Sequence, residues 1–164
     1  MLQVGSGMGG GWLTGVAEQA RRAEDAGYDN INSAETQHDS MLAATLAAAN
    51  TERIGIGTSV TIAFPRSPMV LAMEAWDIQH LSKGRFTLGL GSQVKGHNQH
   101  RFGIDWPGAP ATRMKEYVQM MHAVWRSFQT GEKPDFVGRF YHYTLMTFNF
   151  NPGPIDYPRP KVGI

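Results

Sequence analysis

Within residues 52–62, β-branched residues occupy every second position from Ile54 to Ile62, with small residues between them. They are Ile54, Ile56, Thr58, Val60 and Ile62. A short alternating run of this kind is typical of a buried β-strand. We therefore predict a central strand here, with these side chains directed to one face.

A helix is predicted to follow this strand. Ser67 supplies an N-cap hydroxyl, and Pro68 suits the first helical position because the amide hydrogen that it lacks would have no partner there. The residues up to Leu81 favour a helix, and Gly84 provides a left-handed stop. A second buried strand is predicted over 85–91. Two strands joined by a helix imply parallel pairing with a right-handed crossover.

The rest of the chain repeats this strand and helix pattern. Further strands are predicted over residues 2–5 and 28–33, and further helices over 14–26, 41–49 and 112–128. Prolines and glycines mark residues 130–160 as an insertion loop or hairpin, and residues 161–164 resemble the start of a fifth strand. We predict a single partial domain over 1–164, with about four βα units of a TIM-type (β/α)8 barrel, which in complete form has about 250 residues.

Composition favours a small-molecule partner. The net charge is +1 and 18% of the residues are charged, which gives no electrostatic case for binding nucleic acid or an anionic membrane. There is no cysteine, so disulfides and thiolate metal sites are excluded. No apolar run approaches the roughly 20 residues of a membrane span, and no secretory signal pattern opens the chain. A cytoplasmic protein is expected.

A GxGxxG pattern is formed by Gly5, Gly7 and Gly10. In a dinucleotide site the third glycine lies in the first turn of a helix, so that backbone amides meet the pyrophosphate. Here the predicted helix cap is Thr14, so the helix begins too late after Gly10 for such a contact. A Rossmann dehydrogenase is therefore a minor alternative.

A polar cluster follows the second predicted strand, at the end of a parallel sheet where functional groups collect. It contains Glu35, His38 and Asp39. His38 is a candidate for proton transfer because imidazole titrates near neutrality. The alternative is that Asp39 caps the next helix and His38 is an ordinary loop histidine.

Two further groups lie at strand ends. Thr58, Ser59 and Val60 would either face a flat ring or belong to the β-branched core. The loop after the fourth strand would either hold polar edges of a cofactor or be a solvated loop; its candidates are Ser92, Gln93, His97 and Asn98. His97 and His100 have metal-like spacing without a third ligand nearby, and no metal site is predicted.

Several sequence blocks in order carry a family resemblance over nearly the whole chain. ERIGIGTSVTIAFPRSPMVLA, LSKGRFTLGLGSQ and the later helix resemble the luciferase-like monooxygenase superfamily. Within it, AETQHD, AFPRSPMV, GLGSQVKGHN and FNPGP look most like the branch that uses the deazaflavin coenzyme F420. The resemblance implies a barrel with a ring cofactor at its C-terminal mouth and a non-prolyl cis peptide at Ser59-Val60 beside that ring.

The resemblance also assigns roles to residues. It places Glu35 and His38, with Asp39, where the family has its active-site acid and histidine. Val94 stands about where some deazaflavin dehydrogenases have a catalytic glutamate, which argues against a sugar-phosphate dehydrogenase mechanism. His97 or Asn98 would supply a ring contact instead.

The function implied is hydride transfer between coenzyme F420 and a small organic substrate. One alternative is an FMN-dependent monooxygenase that acts on paired donors with O2. Another is a non-catalytic half-barrel that assembles with another chain. An open four-stranded sheet would expose its edges and some apolar strand surface, so we expect weak cofactor binding by this chain alone, and a homo-oligomer that covers the edges.

Overall fold

The computed structural model describes residues 3–9, 11–106 and 108–164 of an α/β chain. The chain divides into two compact units. The first unit comprises the described residues up to Thr61, together with Glu74–Gly91 and Tyr157–Ile164. The second unit comprises Ile62–Met73 and the described part of Ser92–Asp156.

The elements alternate as the sequence predicts. The strands are β1 (Gly5–Gly7), β2 (Asn30–Ser33), β3 (Gly55–Thr58), β4 (Thr61–Ile62), β5 (Phe86–Gly91), β6 (Phe136–Val137), β7 (His142–Tyr143) and β8 (Lys161–Gly163). The α-helices are α1 (Val16–Asp25), α2 (Ser40–Ala49), α3 (Pro68–Leu81), α4 (Lys95–His100) and α5 (Pro110–Thr130). Short 3-10 turns cover Leu13–Gly15 and Phe148–Phe150.

The first unit is built on a sheet in which β1, β2, β3 and β5 lie side by side in that order and pair in parallel. Strand β8 pairs in parallel with β5, and β4 also lies beside β5. Ile31, Ile56 and Phe86 are aligned across three strands, and each is about 1% exposed. Helices α1 and α2 pack with β2, and α2 also contacts β3. The parallel pairing and the fifth strand, β8, are therefore confirmed.

The opposite face of this sheet is not apolar, which corrects the expectation of uncovered apolar strand surface. Register places Asn30 beside Gly55 and Asn32 beside Gly57, with Thr87 next along the same row. Asn32 Nδ2 donates to Asn30 Oδ1 at 2.8 Å. The large side chains alternate onto the helix-covered face, and glycine, asparagine and threonine are left on the other.

Three features differ most from the predictions. The first strand begins at Gly5 rather than at residue 2, and Leu2 lies outside the described residues. The predicted strand over 52–62 is interrupted after Thr58, and Val60 is 40% exposed although the alternation places it in the core. The polar loop after β5 contains a short helix, α4, which has no apolar periodicity that would predict it.

The predicted signals at the ends of α3 are confirmed. The amide nitrogen of Met69 donates to Ser67 Oγ at 3.2 Å, so the serine caps the first turn. At the other end, Gly84 has φ +85°, a left-handed conformation that glycine adopts without steric cost. These local signals fix the length of the crossover helix.

Arg85 is the main polar tie of the first unit. Its guanidinium donates to five oxygen atoms: Ser82 O (2.7 Å), Thr51 Oγ1 (3.0 Å), Ile54 O (2.6 Å), Ala48 O (3.3 Å) and Thr51 O (2.8 Å). Burial lowers the pKa of Arg85. One side chain therefore joins the ends of α2 and α3 to the starts of β3 and β5.

Glu24 holds the turn that precedes β3. Its Oε1 atom accepts hydrogen bonds from the backbone nitrogens of Glu52 (3.0 Å), Arg53 (2.6 Å) and Ile54 (2.9 Å). Burial acts to raise the pKa of this carboxyl, but the three backbone hydrogen bonds outweigh it and the pKa is lowered.

We expect Glu24→Gln to lower the free energy of unfolding at neutral pH by about 1 kcal/mol, because a charged acceptor of three amides is lost from a partly solvated site. Since the folded-state pKa is depressed, this contribution is complete above the unfolded-state pKa and is lost as the pH falls through the folded-state pKa. Urea unfolding from neutral to acid pH measures it. Glu18→Gln, at an exposed carboxylate that pairs with Arg22, is the control; an equal loss in both variants would contradict the assignment.

The second unit is organised around α5. Trp125 Nε1 donates to Ala72 O at 2.9 Å, and Tyr117 Oη donates to Arg66 O at 3.2 Å. The antiparallel pair β6–β7 lies within residues 130–160.

None of the helices in the described residues combines the length and the apolar character that a membrane-spanning segment needs.

The start of α5 holds a stacked guanidinium. Arg113 lies over the ring of Phe64, with Cζ 4.3 Å from the ring centroid, and its Nε donates to Tyr141 Oη at 2.8 Å. Burial raises the pKa of Tyr141 although this contact opposes the rise. The contact links the segment after β4 to the loop between β6 and β7 within the second unit.

Candidate functional site

A backbone bulge separates β3 from β4. The Ser59-Val60 peptide is cis, which confirms the cis bond that the family resemblance predicts at this position. The backbone at the end of β2 and in the loop after it holds the bulge, since Ser59 N donates to Ser33 O at 2.7 Å and Glu35 N donates to Val60 O at 3.2 Å. Both bulge residues are exposed. The end of β3 therefore presents a fixed, outward-facing pair of residues.

Two glycines of β5 lie against this bulge. A Cβ atom at Gly89 would stand 2.1 Å from Thr58 O, and one at Gly91 would stand 2.6 Å from Val60 Cγ2. Thr58 Oγ1 donates to Gly89 O at 2.8 Å and accepts from Gly89 N at 3.0 Å. The Thr58 hydroxyl therefore joins β3 to β5. At Gly89 and Gly91, β5 packs so closely against the bulge that there is no space for a larger residue.

The loop after β2 brings Glu35, His38 and Asp39 to the same end of the first unit. Ser40 Oγ donates to Glu35 Oε2 at 3.2 Å. The ring of His38 lies 5.0 Å from that of Trp12, between ring centroids, at an interplanar angle of 47°. Trp12 is 76% exposed, so it forms the outer side of this contact.

A small cavity of about 120 Å³ lies beside His38. Its walls come from the loop before α1, the end of β2 and the start of α2, and most are apolar or glycine. They include Met8, Leu13, Val16, Ala34 and Ala43. Such a cavity has room for a small apolar group next to an imidazole.

Asp39 is the N-cap of α2. Its Oδ1 accepts from the amide nitrogens of Met41 at 2.8 Å and Leu42 at 3.1 Å. We expect Asp39→Ala to lower the free energy of unfolding by about 1 kcal/mol, because two amides of the first turn lose their acceptor. Asp39→Ser keeps a capping oxygen and is expected to recover most of this loss in thermal or urea unfolding. Equal destabilisation by both variants would contradict the capping role.

The remaining predicted residues lie in the second unit. Gln93 has φ +58°, and its Oε1 accepts from Val94 N at 2.9 Å. Asn98 is fully buried, and its Nδ2 donates to Ser92 O (3.0 Å) and Val94 O (3.1 Å). Among the described residues its Oδ1 has no partner. Asn98 therefore shapes this loop from inside.

His97 is exposed on α4 and follows the loop that Asn98 holds. In the described ranges, no three His, Asp or Glu side chains converge as metal ligands do. The cofactor contacts proposed for this loop stay predictions.

The GxGxxG pattern does not form a phosphate loop in the described residues. Gly5 and Gly7 belong to β1 itself, and α1 begins only at Val16. Gly10 lies outside the described residues. Because the glycines needed for the turn lie in the strand, this part of the chain does not fit a dinucleotide fingerprint.

Sequence reasoning missed several residues of this site. Ser40 and Thr61 are buried hydroxyls next to Glu35 and the bulge, and Gly89 and Gly91 support it. The alternating LGLG of β5 was a usable signal, since a strand glycine often marks close approach of another backbone. No comparable signal singled out Trp12.

Comparisons with known proteins give one consistent result. The family model described as luciferase-like monooxygenase matches residues 2–164. An uncharacterized protein of Mycobacterium tuberculosis is 43% identical over 152 residues, which is 93% of this chain and 44% of that protein. The chain thus spans about half the length of the relatives it matches.

Two solved structures show the same fold. The coenzyme F420-dependent tetrahydromethanopterin reductase from Methanopyrus kandleri aligns with a TM-score of 0.72 and 20% identity, covering 98% of this chain and 47% of that one. The oxygenating constituent of 3,6-diketocamphane monooxygenase from Pseudomonas putida, solved with FMN, aligns with a TM-score of 0.75 and 15% identity over 93% and 47%.

Proposed function

Because the chain belongs to the luciferase-like monooxygenase family, we propose that it forms the ring-binding part of an oxidoreductase that uses coenzyme F420. The observation that carries the proposal is the exposed Ser59-Val60 bulge, supported from behind by Gly89 and Gly91. A flat ring needs a fixed apolar surface that presents backbone and a short side chain, and this bulge provides one.

The residues present fit a deazaflavin ring. Val60 supplies an exposed apolar contact, and Ser59 supplies a hydroxyl and backbone groups beside it. When bound, coenzyme F420 supplies hydride transfer, and the protein supplies position and proton transfer. His38 and Glu35 are proposed to exchange a proton with the substrate, whose small apolar group would enter the cavity beside His38.

Sequence supports F420 over FMN as the ring. The blocks AETQHD, AFPRSPMV and GLGSQVKGHN look most like the deazaflavin branch, and both ring types occur among proteins of this fold. Val94 stands where some dehydrogenases of that branch have a glutamate, so we propose that the proton-transfer groups come from the loop after β2 instead.

A half-barrel that acts only by assembly is the second candidate. The observation that favours it is the open sheet of the first unit, whose described strands do not close into a ring.

Fluorescence titration of the purified chain with F420, FMN and NAD separates these candidates. We expect saturable binding of F420, weaker binding of FMN and none of NAD. Val60→Asp is expected to weaken F420 binding at least tenfold, because a charge would replace the apolar contact. The control is Val137→Asp, at a valine that is 68% exposed in the second unit. A folded chain that binds no ring would contradict the proposal and support the half-barrel.

A further inference from the structure

A chain of hydrogen-bonding side chains extends from Glu35 into the core of the first unit. Ser40 Oγ lies 3.2 Å from Glu35 Oε2 and 2.8 Å from Thr61 Oγ1. Thr61 Oγ1 lies 3.5 Å from Met41 Sδ. Ser40, Thr61 and Met41 are each at most 3% exposed. The chain thus runs from a proposed acid–base residue to a thioether, and Thr61 directly follows the bulge.

Each hydroxyl in this chain has one hydrogen to donate and can also accept. The geometry of the middle link allows either Ser40 or Thr61 to be its donor. Two complete arrangements follow, which differ only in the direction of the hydroxyl hydrogens. If only one of these arrangements were possible, one buried group would lack a hydrogen-bond partner whenever Glu35 changed its protonation state. That loss would cost free energy.

With Glu35 ionised, Ser40 donates to the carboxylate and Thr61 donates to Ser40. With Glu35 protonated, the carboxylic acid donates to Ser40, which donates to Thr61. The hydroxyl of Thr61 then donates to Met41 Sδ, a weak acceptor. Every hydroxyl hydrogen in the chain has an acceptor in both states.

We propose that Ser40, Thr61 and Met41 form a reversible hydroxyl chain that stabilises Glu35 in both its protonated and its ionised form. The O–H bond of the Glu35 carboxyl is the only covalent bond that forms or breaks in the protein. Its proton comes from, and returns to, the substrate with which Glu35 is proposed to exchange it. The two hydroxyls rotate, and no proton leaves them. Ser40 and Thr61 are positioning residues, and their use in catalysis rests on the acid–base role proposed for Glu35.

The surroundings make Glu35 the group that drives the reversal. The other titratable side chains on the same loop are His38, which contacts Trp12, and Asp39, which caps α2. Residues 57–61, which lie next to the loop that carries Glu35, contain no titratable side chain. The loop before α1, which lines the cavity beside His38, contributes none to the cavity wall either. Ser33 Oγ donates to the backbone oxygen of Ser40 and fixes the start of α2 without joining the chain.

Proton NMR of the buried hydroxyls tests the proposal on the chain without cofactor. At neutral pH the Thr61 hydroxyl proton is expected to show nuclear Overhauser contacts to Ser40. At acid pH those contacts are expected to be replaced by contacts to the methyl group of Met41. In Glu35→Gln the partner of Thr61 is expected to be the same at both pH values, whereas Asp39→Asn is expected to behave as the wild type. An unchanged partner in the wild type, or the same reversal in Glu35→Gln, overturns the proposal.

A second comparison needs only neutral pH. In Ser40→Ala the Thr61 hydroxyl loses its other acceptor, so it is expected to contact Met41 at every pH, and Ser40→Thr is expected to restore the wild-type pattern. If the wild type at neutral pH already directs this hydroxyl to Met41, the proposal is wrong. Because neither measurement involves a ring, its failure is distinct from a failure of F420 binding in the titration.

Discussion

Replacing Arg85 with methionine is expected to lower the free energy of unfolding by about 3–5 kcal/mol, the largest loss that we expect from a single side chain here. Methionine fills much of the same space but donates no hydrogen bond. Four backbone oxygens and the Thr51 hydroxyl lose a donor in a partly buried setting. Equilibrium urea unfolding at neutral pH measures the loss.

Arg85→Lys should recover only a small part of this stability, because one ammonium group cannot reach acceptors on several elements as a guanidinium does. Arg53→Met is the matched control. Its side chain is exposed, and the hydrogen bond that involves Glu24 uses its backbone nitrogen. If Arg85→Met and Arg53→Met were equally stable, Arg85 would not be the tie between the helix ends and strand starts.

Replacing Gly89 with alanine is expected to cost about 2–4 kcal/mol and to displace the end of β3. The added methyl group would stand 2.1 Å from Thr58 O, so the two backbones must separate. The paired hydrogen bonds between Thr58 Oγ1 and Gly89 would then lengthen. Because Ser59 and Val60 follow Thr58, we also expect Gly89→Ala to weaken F420 binding. The loss of affinity is expected to be larger than in the control variant Gly163→Ala.

Gly163→Ala is the matched strand-glycine control, since a Cβ atom there meets nothing within 4 Å. It is expected to change the free energy of unfolding by less than about 0.5 kcal/mol. Urea unfolding and F420 titration of both variants measure the difference. Equal stability and equal binding in the two variants would contradict the role of Gly89 as support for the bulge.

Local signals explain why much of the fold could be predicted. Ser67-Pro68 and Gly84 mark the two ends of α3 by their own backbone preferences, whatever packs around them. The β-branched alternation of β3 and the run of β5 reflect burial between packed layers, and two such strands joined by a helix pair in parallel. These features need only a few neighbouring residues.

Residues of the site could not all be predicted, because they are brought together by long-range contacts that a local sequence pattern does not contain. Ser40 and Thr61 are 21 positions apart, and Gly89 matters because of Thr58, which is 31 positions away. The alternation placed Val60 in the core, but backbone hydrogen bonds from the neighbouring loop hold it outward. Family resemblance identified the bulge where periodicity alone favoured a continuous strand.

Predicted site residues also have structural roles that their chemistry did not reveal. Asp39 caps α2, and Asn98 holds Ser92 and Val94 from within its loop. A carboxylate or an amide serves such roles as readily as it binds a ligand, because both offer the same hydrogen bonds. The choice between the roles depends on which backbone groups the fold brings near, and only the three-dimensional arrangement shows that.

The proposed function requires that the ring of coenzyme F420 lies against the Ser59-Val60 bulge. Methyl NMR of the valine-labelled chain during F420 titration tests it most directly. We expect the Val60 methyl resonances to move by ring-current shifts with the same saturation curve as the fluorescence change, while those of Val137 do not move. Saturable F420 binding that leaves the Val60 resonances unchanged would contradict it.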